Sequence, residues 1–277
     1  MASTEVAKKE AAQPPAVLNP KLKDTSVFTG DAADVLIPRI LIAQATSKVV
    51  ADEKVSFGNF YRSTTLETLG GKGKPLSFVP LTHWKNWVIL KRNAKNIYEF
   101  ERIEEFTPEN RAREWEWKAK SDKGVEEQWK AEQNLNFFGL LTKDIETDLA
   151  ARAEFKKTGK LPNIAHSLMP CCISFKSTGY KAGKTLVTHF AKAADFEVAP
   201  FVSTFLIDTE KGNAESGSFY VPVVTQADAP TPEAFLDVCV KWKGIVGTQK
   251  VKIDDEDVNQ RADIESVTRN KDGTVLV

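Results

Sequence analysis

The chain has 277 residues, 42% of them hydrophobic and 27% charged, and its 38 basic and 38 acidic side chains cancel to a formal net charge of zero. That length can bury a full core, but a neutral molecule has no overall field that would attract a polyanion, so only local charge can argue for one. No apolar run is long enough to cross a bilayer, the start lacks the apolar centre of a secretory signal, and three cysteines, two of them adjacent, make no disulfide framework. A cytoplasmic protein with no membrane partner is expected.

Residues 1–33 are rich in Ala, Lys, Glu and Pro, with almost nothing large to bury, and are expected to form a disordered tail. Val35 to Gln44 is the first segment apolar enough to enter a core, with Pro38 setting an extended entry. Phe57 to Ser63 reads as a short strand, and the glycine-rich stretch from Gly70 to Pro75 as a loop. Leu76 to Arg92 is long for one strand, so a bend is expected near Pro80 or Asn86. Residues 98–132 alternate charges around Trp115, Trp117 and Trp129, and Glu114 to Lys118 has the period of an exposed strand. Leu135 to Leu141 reads as a core strand, and Asp144 to Lys157 as a helix with Ile145, Leu149 and Phe155 inward, stopped by Thr158 to Pro162.

The most informative unit runs from His166 to Val224. Ser167 to Phe175 suits a buried strand. Ser177 or Thr178 can cap a helix in which Ala182, Leu186, Val187 and Phe190 share one side. Phe201 to Ile207 and Ser218 to Val224 read as a hairpin turning at Lys211, Gly212 and Asn213. A linker from Gln226 to Pro232 follows, then a helix capped by Thr231 with Phe235, Val238, Cys239 and Trp242 on its apolar side, and finally the acidic run Asp254 to Asp257. The expected fold class is mainly β with a few helices, α+β. The order strand, helix, hairpin suggests a five-stranded OB-fold-like barrel over residues 34–225, with appended strands and a C-terminal unit, 226–277, of linker, helix and acidic segment.

Catalytic patterns are missing from the sequence: it has no GxSxG, no HExxH and no Walker loop, and Gly179 to Thr185 shares only the Gly-Lys-Thr ending of a phosphate loop. Cys171, Cys172, His166 and His189 fall in one unit, but adjacent strand residues point to opposite faces and lack zinc spacing, so buried apolar cysteines are expected. No enzyme, metal or other cofactor is expected. What stands out is one-sided charge. Lys72, Lys74, Lys85, Lys91 and Arg92 lie in a stretch without acids that also holds Trp84 and Trp87. Lys176, Lys181, Lys184 and Lys192 lie in a second such stretch around Tyr180. A cationic groove with aromatic platforms is what sequence-tolerant binding of single strands requires. The candidate backbone contacts are Lys72, Lys74, Lys85, Lys91, Arg92, Lys176, Lys181 and Lys184; the candidate stacking residues are Trp84, Trp87, Tyr180 and Phe219.

The segments SFKSTGYKAGKTLVTHFAK and PFVSTFLIDTEKGNAESGSFYVPVV, preceded by VLIPRILIAQATS and PLSFVPLTHWKNWVILKR, resemble a group of bacteriophage single-stranded DNA-binding proteins. The resemblance covers most of Val35 to Val224. It implies an OB-like barrel, non-enzymatic protection of single-stranded DNA during phage replication or recombination, and possible contacts with replication or recombination proteins. The alternative is a phage structural or assembly protein that uses the barrel as an interaction module.

Overall fold

A computed structural model describes residues 37–45, 47–92, 98–107, 129–160, 168, 170–214 and 217–247. The expected N-terminal tail, the tryptophans Trp115 and Trp117, and the acidic run after residue 253 lie outside the described residues.

One nine-stranded sheet organises the chain, and the α+β class expected from the sequence holds. Its strands are β1 (Arg39–Ile42), β2 (Phe60–Arg62), β3 (Thr68–Gly70), β4 (Leu76–Arg92), β5 (Tyr98–Glu105), β6 (Trp129–Leu141), β7 (Cys171–Phe175), β8 (Ser203–Ala214) and β9 (Gly217–Pro230). They lie in the order β3-β2-β1-β7-β6-β4-β8-β9, with β5 also on β4. Among the described residues the one parallel pair is β1 with β7, where Arg39 faces Cys172 and Ile40 faces Ile173.

Strand β4 reaches 17 residues because it serves two neighbours in succession along one edge. Leu76 to Phe78 pair with β8, and Asn86 to Arg92 pair with β5. Strand β6 runs along the other edge, and its register on β4 shifts between Pro80 and Thr82. Of the two bend positions expected from the sequence, the irregularity falls at Pro80, which has no N–H to give a ladder.

The sheet curls but does not close as a five-stranded barrel. The end strand β9 is held by a side chain from just after β1 instead: Gln44 Nε2 donates to Tyr220 O at 2.8 Å, and Tyr220 N donates to Gln44 Oε1 at 3.0 Å. The amide of Gln44 thus does for one residue what a neighbouring strand would do. Pro222 and Pro230 leave β9 without donors at two positions, which disfavours a continuous ladder on that edge.

Inside the curve, Ile40, Phe60, Leu76, Phe78, Leu135, Phe137, Cys171, Ile173, Phe175, Phe205, Ile207 and Val224 form one core cluster. Among the described residues four helices pack around the sheet: α1 (Lys48–Ala51), α2 (Thr142–Thr158), α3 (Tyr180–Asp195) and α4 (Glu233–Gly247). Helix α3 covers this core with the side expected from its periodicity: Leu186 is buried, and Ala182, Val187 and Phe190 pack against it. Gly183 lets the helix approach, since a Cβ there would stand 2.8 Å from Phe175 Cβ. The glycine that gives the segment its phosphate-loop look is therefore a packing residue.

Three local expectations change. No Ser177 or Thr178 side chain caps α3; Ser177 Oγ donates instead to Glu132 Oε2 at 2.9 Å. Lys211, Gly212 and Asn213 are strand residues rather than the hairpin turn, because Gly212 leaves room for the ring of Phe219, which a Cβ would meet at 2.7 Å. The region read as a linker is the last part of β9, with Gln226 and Pro230 held opposite Phe205 and Ser203. Thr231 bonds to Thr204 across the sheet at 3.0 Å, and α4 buries Phe235, Val238 and Cys239 against Val79, Leu81, Leu140 and Ile145.

Candidate nucleic-acid interface

Two groups of rings and ammonium ions lie at the rim of the core. The first is built around Tyr180, the first residue of α3. Its hydroxyl donates to Gln133 Oε1 at 2.7 Å, and its ring packs partly against the core. Lys184, one helical turn on, places Nζ 5.3 Å from the ring centroid, and Lys85 Nζ lies 5.9 Å away. Lys85 Nζ also sits 4.3 Å from the centroid of Phe106, which stacks on Trp87 at 5.5 Å.

The second group surrounds Tyr220 on β9. Its ring meets Phe57 edge-on at 4.8 Å, and Lys72 Nζ lies 5.8 Å from the Phe57 centroid and 5.5 Å from that of Tyr220. The loop carrying Lys72 and Lys74 is anchored to β8: Lys72 N donates to Thr209 Oγ1 at 2.9 Å, and Gly73 N donates to the Asp208 carboxylate at 3.0 Å. Lys72 has a left-handed φ of 52°. Gly58 has a φ of 87° and lies under the Tyr220 ring, where a Cβ would come within 2.6 Å. The tyrosine is thus held from both sides, by Gly58 through its ring and by Gln44 through its backbone.

The groups join through β9. Pro222 shares a face with Tyr220, about 7 Å along the strand, and the position of a Cβ on Gly179, just before Tyr180, lies 3.0 Å from Pro222 Cγ. The result is a band: Lys72, Phe57, Tyr220, Pro222, Tyr180, Lys184, Lys85 and Phe106. Lys74 and Lys181 are exposed, Lys74 beside Lys72 in the loop and Lys181 beside Tyr180 on α3.

The other sequence candidates fall elsewhere. Trp87 is 1% exposed and belongs to the core with Ile89, so it has no face to offer a base. Trp84 is half-buried on the opposite face of β4 from Lys85 and packs on Phe138 at 4.5 Å. Phe219 points away from Tyr220 and covers Gly212. Lys176 is half-buried just before the 3-10 turn at Ser177–Gly179. Lys91 is half-buried at the far end of β4, and Arg92 is described only through its backbone pairing with Tyr98. The sequence reading missed Phe57, Phe106 and Tyr220. Only the alternation of β9 could have favoured Tyr220 over Phe219, and it does so only once the buried face is known.

Burial shifts the pKa values of three titrating groups outside the band's rings and ammonium groups. His83 lies between Phe137 and Phe190, and burial, helped by the charge of Lys85, holds its pKa below the ordinary imidazole value. The adjacent cysteines do face opposite sides, Cys171 in the main core and Cys172 against Ile37 and Phe138. Burial pushes the Cys171 thiol well up and the Cys239 thiol to about 11, so both stay protonated and unreactive at neutral pH.

A family model for the Pam3 phage gp34-like protein matches residues 8–252. The chain belongs to this phage protein family. The match takes in every strand and helix described above, and so the whole band. Searches of curated proteins and of solved structures find no match. Among the described residues, no helix is long and apolar enough to cross a membrane.

Proposed function

We propose that this member of the gp34-like family is a non-enzymatic single-stranded DNA-binding protein that coats and protects DNA in the host cytoplasm during phage replication or recombination. The observation that carries this reading is the band from Lys72 to Phe106, in which two groups of rings, each with ammonium groups beside them, are joined through Pro222. Rings offer π-faces to unpaired bases, worth roughly 1–3 kcal/mol per stacked base, and lysines track the backbone without reading sequence. Exposed Lys72, Lys74, Lys181 and Lys184 and half-buried Lys85 could neutralise three to five phosphates. The log of affinity should then fall with the log of salt with a slope of about −2 to −3.5, at about 0.7 per phosphate on a single strand.

Fluorescence titration of oligo-dT at two salt concentrations, beside a duplex of the same length, tests this. Preference for the single strand with a slope in that range is expected. No binding at low salt would end the DNA reading and leave an assembly role; equal affinity for the duplex would end the single-strand reading.

A further inference from the structure

Two arginines occupy adjoining positions in the sheet and meet opposite conditions. Arg62 pairs with Ile40 in the ladder, and Arg39 stands one step away, opposite Ser63. Arg62 is satisfied: its guanidinium donates to Asp144 Oδ2 at 2.8 Å and lies 3.5 Å from Glu67 Oε2. Arg39 is 4% exposed, yet its Nε has no hydrogen-bond partner among the described residues, and no ion pair joins it to any of them. Only Nε is fully buried without a partner, and a guanidinium enclosed to this extent, with no paired carboxylate among the described residues, is a costly feature for a fold to carry.

The surroundings of Arg39 select the kind of partner. Strand alternation places it on the face away from Ile40 and the main core. There it stands between the cluster of Ile37, Phe138, Cys172 and Val246 and the cluster of Leu41, Ala43, Val55 and Tyr61. The polar side chain beside it is Ser63, whose Oγ accepts from Arg39 N at 3.0 Å and so keeps its own proton to donate. Directly opposite residues in an antiparallel pair share a face, so the planar fork and the hydroxyl project side by side. A fork alone suits a carboxylate; a fork with a third donor beside it, in an apolar wall, suits a tetrahedral oxyanion with three free oxygens.

We propose that Arg39 and Ser63 form a binding site for an oxyanion of the phosphate class, separate from the rim band and on the opposite face of the sheet. The oxyanion is either free phosphate or a phosphate of a nucleic-acid strand.

The test is thermal melting of the full chain in chloride buffer with inorganic phosphate added, against chloride at equal ionic strength. Wild type should show a saturable, phosphate-specific rise in midpoint, because a ligand that binds only the folded state stabilises it. Arg39→Met should lose that rise and melt at or above wild type in chloride alone, since it removes an uncompensated charge. Arg39→Lys, which keeps the charge but not the fork, should show a smaller rise. No phosphate-specific rise in wild type overturns the site, and so does an undiminished rise in either variant. A second arm titrates oligo-dT in chloride. An Arg39-dependent loss of affinity assigns the oxyanion to the strand; an unchanged affinity beside a phosphate response assigns it to the free ion.

Discussion

The wall beneath α3 and the rim beside it are built from the same kinds of side chain and differ in what those side chains touch. In the wall, Phe137 is fully buried, with Phe175 edge-on at 5.6 Å and Phe190 at 6.0 Å, so every face of the ring is already used. On the rim, Tyr220 and Tyr180 have part of their surface covered and the rest turned toward ammonium groups. An aromatic residue at the rim is therefore available to a ligand only to the extent that the wall does not need it. Tyr180 sits between these limits, because its ring packs on the core and its hydroxyl is bonded to Gln133. Tyr220 is held mainly through its backbone, so its ring is the clearer test of stacking.

The largest expected effect comes from breaking the wall. Phe137→Ala should cost about 3–5 kcal/mol of stability, the usual loss for a buried phenylalanine, measured by denaturant unfolding. The protein that remains folded should bind oligo-dT with nearly unchanged affinity, because the ring contacts of Phe137 are with His83, Phe175 and Phe190, which lie outside the band. A selective loss of affinity at equal folded fraction would mean that the wall and rim are not separable.

The second test compares neighbours on β9. Tyr220→Ala should weaken single-strand binding by roughly 1–3 kcal/mol, whereas Phe219→Ala, one residue away on the other face, should leave binding intact and lower only the melting temperature. Equal losses of affinity in both would show that the face assignment does not govern binding. Tyr180→Ala should lower affinity and stability together.

A smaller effect is expected at Lys184. Replacing it by Ala should reduce the magnitude of the salt slope by about 0.7, one phosphate contact on a single strand, with the same proportional loss for every oligonucleotide sequence. A sequence-dependent loss would instead place Lys184 against base edges.

These contrasts also show what could be read from the sequence. The apolar side of α3 was legible because Ala182, Leu186, Val187 and Phe190 repeat at helical spacing within one short segment, and β7 because its apolar run is local. The faces of β4 and β9 were not. A strand's side chains alternate, so an error of one residue exchanges every inward and outward position. The irregularity at Pro80 resets that alternation in β4, and after it Lys85 and Trp87 share a face on which only the longer, charged side chain reaches the rim while the indole is buried under Phe106. The clasp of Gln44 on Tyr220 spans 176 residues of sequence, and no local pattern announces it.

The smallest effect joins wall and rim through His83, which belongs to the wall by packing and to the rim by its proximity to Lys85. Burial and then the charge of Lys85 hold its pKa below the ordinary imidazole value of 6.5. The unfolded chain therefore takes up a proton at this site more readily than the folded chain does. By linkage, stability from this residue is complete above the ordinary imidazole pKa and is lost as pH falls through the lowered folded value. Melting temperatures of wild type and His83→Gln at pH 7.5 and about pH 5.5 should show a shallower decline for the variant. Lys85→Met should flatten the decline in part, since it removes the second cause and leaves the first. If His83→Gln declines as steeply as wild type, the imidazole is not the group that couples the wall to pH.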